Sequence, residues 1–168
     1  MPNSVIETGI DVCVVRLMPA FEKNGGVVFH MLPGGVNNLD WYGGDILDVY
    51  GFFSKEPNAI RGGHYHPKLN EYFFPVVGTS LWILSDFRES SPTFGKTVTV
   101  TLGDKPDEHP RIRVPAGVYH AIAPLTEKGF TVIALGTTPF DKEDYVYPTL
   151  DEVPDMKNIL ETFSIQTN

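Results

Sequence analysis

The chain has 168 residues and a formal net charge of -8 at pH 7. That length suits one domain with a sizeable core, and the negative balance argues against a nucleic-acid partner, because no broad positive surface would neutralise phosphates. Cys13 is the single cysteine, which excludes an intrachain disulfide. No apolar run is long enough to span a bilayer and no charged-then-apolar leader opens the chain, so no membrane association is expected and the cytoplasm is the expected compartment.

Glycine and proline, 16 and 14 of them, are scattered evenly, and short runs rich in Val, Ile, Phe and Tyr lie between them. This is the pattern of an all-β sandwich or barrel. In chain order, 12–18 reads as a first strand, with Cys13 buried in it. Asn24-Gly25-Gly26 reads as a turn, 27–32 as the next strand, and Pro33-Gly34-Gly35 as its end. Residues 36–45 read as a loop and 46–53 as a strand. The runs 60–66 and 71–77 read as a hairpin-like pair across Pro67-Lys68, followed by a strand at 80–87 and a loop at 88–95. In 96–102, Val98, Val100 and Leu102 alternate with three threonines, a half-buried strand. After a polar connection at 103–110, runs at 111–114, 118–123 and 130–136 complete roughly ten strands. Beyond Pro148 the period changes. Val153, Met156, Ile159, Leu160 and Phe163 recur at helical spacing, with Asp151 and Glu152 at an acidic start, so 148–165 reads as a short helix docked by an apolar stripe.

The chemistry-bearing residues concentrate in Arg61-Gly62-Gly63-His64-Tyr65-His66-Pro67-Lys68-Leu69-Asn70-Glu71. His64 and His66 sit two apart and so share a face of a strand. Glu71 opens the next apolar run, and His120 closes Pro115-Ala116-Gly117-Val118-Tyr119-His120. Imidazoles and a carboxylate meeting on one face form the ligand set of a divalent cation. The competing reading is a set of unrelated histidines and a solvated glutamate. Zinc, iron, manganese, nickel and cobalt all suit such a set, with zinc or iron preferred. The same residue-by-residue reading makes Arg61, Tyr50, Phe52 and Arg113 the candidate substrate contacts. Arg61 could grip a phosphate through its guanidinium fork, and the aromatic rings could floor a pocket. Arg111 and Arg113 could equally be edge charges, and Arg88 and Lys96 read as loop-fixing residues.

The spacing His64, His66, Glu71, Gly78 resembles the first signature motif of the cupin superfamily, and Pro115, Gly117, His120 resembles the second. The glycine expected before the first histidine is Asn58, and the asparagine expected after the last is Pro124. The resemblance implies an all-β fold, the cupin-type double-stranded β-helix or jelly roll, as a single domain over 1–168. Its N-terminal strands and loop would fill 1–45 and its barrel core 46–137, with a C-terminal helix at 148–165. It also implies a metal held by His64, His66, Glu71 and His120.

A second resemblance covers about residues 19–137. Arg61-Gly62-Gly63-His64-Tyr65, Asp86-Phe87-Arg88 with Ser91-Pro92-Thr93-Phe94-Gly95-Lys96, and Val114-Pro115-Ala116-Gly117 with His120 are similar to blocks of the nucleotide-sugar 3,5-epimerases. Those cupin-fold enzymes act on dTDP-4-keto-6-deoxyhexoses. In them the position of His64 is the base, an aspartate near the C-terminus orients it, and a tyrosine after the last strand returns the proton. Here the matching run Ile133-Ala134-Leu135-Gly136-Thr137-Thr138 holds no tyrosine, and the segment that would carry the aspartate is short. His66 and Glu71 replace a glutamine and a lysine, Phe52-Phe53 replace polar residues, and Gly25 and His30 replace an arginine and a glutamate. The run His64-x-His66 with Asn70-Glu71 also resembles the zinc cupin domain of a capsule-sugar enzyme that epimerises a UDP-4-keto sugar.

The two resemblances collide at His64, because a metal-bound imidazole cannot take a proton. His64 is the catalytic base only if the site is metal-free; otherwise Tyr119, His30, Tyr50 and Tyr145 are the candidates. The expected function is a metal-dependent sugar epimerase or isomerase acting beside a keto group, its substrate a sugar or nucleotide-sugar. The alternatives are an iron dioxygenase or decarboxylase, and a cupin that binds its ligand without turnover. A homodimer pairing N-terminal strands is implied by the family resemblance alone.

Overall fold

The computed structural model describes residues 4–32, 45–56, 60–103 and 108–165. The strands are β1 (Ser4–Glu7), β2 (Val14–Lys23), β3 (Gly26–Phe29), β4 (Asp48–Ser54), β5 (Arg61–His64), β6 (Glu71–Val77), β7 (Thr79–Asp86), β8 (Thr97–Gly103), β9 (Glu108–Val114), β10 (Val118–Pro124) and β11 (Phe130–Gly136); one helix, α1 (Met156–Thr162), follows. The larger sheet runs β1-β2-β9-β6-β11-β4 with β3 paired to β2, and the smaller runs β5-β10-β7-β8. Every pairing is antiparallel. This is the expected all-β jelly roll with a short C-terminal helix.

The core follows from strand alternation. Phe73 on β6, Trp82 and Leu84 on β7, Ile112 and Val114 on β9, Val118 and Ile122 on β10, and Val132 and Ala134 on β11 point between the sheets. The intervening residues of β7 and β10 are apolar as well. Leu81, Ile83, Tyr119, Ala121 and Ala123 form the outer face of the smaller sheet, and Val153, Met156 and Leu160 cover it. Both faces are dry, so β10 is buried at every position. The expected alternation in β8 is present: Val98, Val100 and Leu102 join the inner core.

Several expectations need correction. The runs around 60–66 and 71–77 are not a hairpin. β5 pairs with β10 in the smaller sheet, whereas β6 lies between β9 and β11 in the larger one. The chain crosses between sheets through Pro67–Asn70, a turn too irregular to keep two strands in register. β1 was not anticipated, because its polar ends hide a short apolar pair. The helix is shorter than 148–165, and Asp155 before it has a left-handed φ of 58°. Asp151 and Glu152 do not open it: Glu152 Oε2 accepts bonds from Thr149 N and Oγ1 at 2.7 and 2.9 Å, closing a separate turn. The turn expected at 33–35 and nearly all of the loop expected at 36–45 lie outside the described residues. No described helix is long and apolar enough to cross a membrane.

Candidate functional site

Two of the four candidate ligands sit on facing strands. His64 ends β5 and is the direct Cα partner of His120 on β10. The register shifts beside this pair, and Gly62 makes the shift possible. Its φ is 78°, and a Cβ there would lie 2.7 Å from the main-chain oxygen of His120. His66 lies just beyond β5 on the crossover, and Glu71 is the first residue of β6. Gly117, in the turn between β9 and β10, donates its N–H to His66 O at 2.7 Å, stitching the two motifs together.

The three imidazoles converge, and Glu71 approaches two of them. Glu71 Oε2 lies 3.5 Å from His66 Nε2 and 3.3 Å from His120 Nε2. The ligand nitrogens of His64, His66 and His120 lie within 4.8 Å of one another. His66 Nδ1 donates to the main-chain oxygen of Asp144 at 2.6 Å, and His120 Nδ1 to that of Val118 at 3.4 Å. A carbonyl only accepts, so both protons sit on Nδ1 and both Nε2 lone pairs face the carboxylate. Among the described residues the buried Nδ1 of His64 has no hydrogen-bond partner. Lone pairs gathered around a carboxylate, with an orphaned nitrogen beside them, suit a cation. A tetrahedron with bonds of about 2.1 Å has edges of about 3.4 Å, close to the 3.3 and 3.5 Å between Glu71 and the two imidazoles.

Electrostatics favour the same form. Burial, then the neighbouring imidazoles His120 and His66, push the pKa of His64 down to about 3; burial and His66 do the same to His120, also to about 3. Both rings are therefore neutral at pH 7, as ligands must be. For Glu71, burial dominates and raises the carboxyl to about 7, against the lowering effects of His66 and of a hydrogen bond from Tyr50.

His64, Glu71 and His120 line a cavity of about 300 Å³ with Tyr50, Phe52, Arg61, Phe73, Ile122 and Tyr145, and His66 lines a second cavity that shares Tyr50 and Tyr145. Arg61 is exposed at the rim of the first. Of the sequence-derived substrate contacts, Arg61, Tyr50 and Phe52 are there and Arg113 is not. Arg113 lies between Ile112 and Val114, which point into the core, so it faces the outside of the larger sheet, opposite Tyr72. Tyr119 is likewise displaced: it packs in the cluster beneath α1, because its neighbour His120 takes the inward position. His30 lies past the end of β3, is exposed, and gives its main-chain oxygen to Arg111. Neither Tyr119 nor His30 is among the cavity-lining residues.

Three contributors escaped the sequence reading or carried little weight in it. Tyr145 arrives after β11, its ring centroid 4.4 Å from that of His66 and 4.9 Å from that of His64, in the neighbourhood where no tyrosine could be assigned from the run 133–138. Asp144, buried, holds the crossover through the main-chain N–H groups of Lys68 and Leu69. Asn70 receives the Ala116 N–H on its Oδ1 at 3.1 Å and bonds Thr137 through its own main chain. Only Asn70 had a local signal, its place beside Glu71. Arg88 is structural, as expected: it pairs with Asp86 and reaches Asp11 O.

A two-sheet jelly roll with histidines and a glutamate converging inside the barrel defines a cupin. The family model described as dTDP-4-dehydrorhamnose 3,5-epimerase matches residues 43–151, and the chain belongs to that family. It is 31% identical over 87 residues to the spore coat polysaccharide biosynthesis protein SpsL of Bacillus subtilis (strain 168), a match covering 52% of this chain and 56% of the length of SpsL. Among solved structures it resembles the dTDP sugar isomerase of Desulfovibrio desulfuricans G20, with a TM-score of 0.76 at 22% identity over 89% of this chain and 92% of that one. It also resembles ChmJ, a 3'-monoepimerase of Streptomyces bikiniensis solved as a double mutant with dTDP, with a TM-score of 0.73 at 23% identity over 88% of this chain and 73% of that one.

Proposed function

We propose that the chain epimerises or isomerises a sugar beside a keto group, on a nucleotide-linked 4-keto-6-deoxy sugar or a related carbohydrate, and that it does so with a divalent cation held by His64, His66, Glu71 and His120. The observation that carries the reading is the approach of two imidazole lone pairs to Glu71 Oε2, at 3.3 and 3.5 Å, with Glu71 and His120 on the wall of a cavity of about 300 Å³. Membership of an epimerase family and neighbours such as ChmJ, solved with dTDP, support the substrate class.

The chemistry is removal of a proton from the carbon next to the ketone and its return to carbon. When bound, the cation would supply Lewis-acid polarisation of the ketone oxygen. The chain's own residues do the rest. Arg61, at the rim, is placed to take a phosphate oxygen bidentately. Phe52, Phe73 and Ile122 line part of the cavity and keep water from the enolate. Tyr145, over His64 and His66, is the proton carrier we favour, and Tyr50 holds Glu71 by donating to its Oε1.

We place the protein in the cytoplasm as a homodimer. The β2–β3 hairpin supports pairing, since Phe21, Val27 and Val28 on it are all exposed. The test of the activity is solvent deuterium entering C3 or C5 of a dTDP- or UDP-linked 4-keto-6-deoxy sugar. Zinc- or iron-loaded protein should exchange and chelator-treated protein should not; no exchange in either form removes the proposal. Phe52 in the cavity wall, where the family resemblance implies a polar residue, favours one second reading, an iron dioxygenase or decarboxylase, of which the former would show oxygen uptake with ferrous iron.

A further inference from the structure

Three of the four candidate ligands are held by strands, and His66 is not. What holds it is the segment after β11. Asp144 accepts the Lys68 N–H on Oδ1 at 3.1 Å and the Leu69 N–H on Oδ2 at 3.0 Å, while its main-chain oxygen accepts His66 Nδ1–H at 2.6 Å. Two residues on, Val146 and Tyr65 exchange main-chain bonds, each 3.0 Å long. The segment is thereby clamped along the crossover, and Asp144 is buried with its carboxylate given to two amides. Removing that carboxylate would cut the bonds that tie Lys68 and Leu69 to the segment and withdraw the oxygen 3.8 Å from His66 Nδ1, loosening the ring's seat on the main-chain oxygen of Asp144.

We infer that Asp144 is a positioning residue for His66: its carboxylate fixes the turn, and its main-chain oxygen fixes the ring so that Nε2 is free and aimed at Glu71. The inference rests on the metal reading for its consequence. Groups that hold a ligand's second nitrogen typically change metal affinity by about 10- to 100-fold when removed. Asp144 touches neither the other ligands nor the cavity around Arg61. Its contacts are with His66 and the crossover, and its charge also raises the Glu71 carboxyl and the neighbouring Tyr145 hydroxyl, so the deciding readouts are those taken at His66 itself.

The experiment compares the full chain with Asp144→Ala and Asp144→Asn. Zinc affinity is measured by competition with a chromophoric chelator, the visible spectrum of the cobalt-loaded protein reports the ligand set, and nitrogen-15 correlation spectra of the metal-free ring report which nitrogen of His66 carries its proton. The expected result has three parts. Asp144→Ala weakens zinc binding roughly 10- to 100-fold and alters the cobalt spectrum. Asp144→Asn, which keeps one acceptor oxygen, recovers part of the loss. The metal-free ring passes from the Nδ1–H tautomer to a mixture in Asp144→Ala. Unchanged affinity, spectrum and tautomer in Asp144→Ala overturn the inference. If wild-type protein takes up neither zinc nor cobalt, the metal reading falls while the tautomer shift still decides the role of Asp144. If Asp144→Ala fails to fold by circular dichroism, Asp144→Asn carries the comparison, and a wild-type His66 protonated on Nε2 overturns the inference whatever the variants do.

Discussion

Asp86 and Glu71 are both almost wholly buried carboxylates, and their surroundings are opposites. Asp86, at the end of β7, is ringed by donors. Its Oδ1 accepts Arg88 N and Nε at 3.0 and 2.8 Å, and its Oδ2 accepts Arg88 Nη2, Ser91 Oγ and Thr93 Oγ1 at 2.7, 2.6 and 2.6 Å. Burial alone would raise its pKa, but these bonds outweigh burial and hold it well below the usual carboxylate range. Glu71 has one described donor, Tyr50, and faces two imidazole lone pairs. Its pKa goes up instead. A buried carboxylate with every lone pair answered fixes a loop, and one left among acceptors is waiting for a positive partner.

The contrast is broken most severely at Asp86. Asp86→Ala strands the Arg88 guanidinium against the hydroxyls of Ser91 and Thr93, and a lost buried partner of this kind costs about 3 kcal/mol or more. Denaturant titration should show that loss with zinc binding to the remaining folded protein nearly unchanged. Glu71→Gln should do the reverse. Chelator-treated protein should unfold at neutral pH no more easily than wild type, while zinc affinity measured by competition should fall by roughly 100-fold or more, beyond what an outer-shell change produces.

The pH dependence sharpens the comparison because the two signs differ. The folded pKa of Asp86 is depressed, so its contribution is complete above its unfolded value of about 4 and drains away as pH falls through the folded value. The folded pKa of Glu71 is raised from 4.5 to about 7. Its contribution to the metal-free protein is complete below 4.5 and is lost as pH rises through about 7. Glu71 alone would tilt thermal melts in chelator downward from pH 5 to 8, but His64 and His120, lowered from 6.5 to about 3, act in the opposite sense and outnumber it, so wild type should rise from pH 5 to about 7 and Glu71→Gln should rise more steeply. The smallest effect is Tyr50→Phe. It removes the donor to Glu71 Oε1 and should weaken zinc binding about 10-fold, with a stability change near 1 kcal/mol.

The fold was readable because its strands carry their own punctuation. The run at 71–77 matches β6 at both ends, the run at 130–136 matches β11, and Gly78 and Gly136 stand at their edges. The convergence of His64, Glu71 and His120 was readable because a fixed spacing on a known barrel fixes which side chains point inward. What was not readable depended on which strand pairs with which. The hairpin reading of β5 and β6 failed since nothing local says that the Pro67–Asn70 turn changes sheets. Arg113 was misplaced for the same reason, since it sits one residue from inward-pointing neighbours and only the register decides the face, whereas Tyr119 faces away from the site as strand alternation beside His120 requires. Tyr145 and Asp144 are 78 or more residues away in sequence from His66 and His64, beyond any spacing rule.

Because the crossover changes sheets, the candidate ligands belong to both leaves of the sandwich. His64 and His120 hang from the smaller leaf, Glu71 from the larger, and His66 from the bridge between them. An ion seated there would rivet the leaves together at one point, closing a circuit of chain that the unfolded polypeptide cannot close. Such a rivet would raise resistance to heat in proportion to the logarithm of ion concentration.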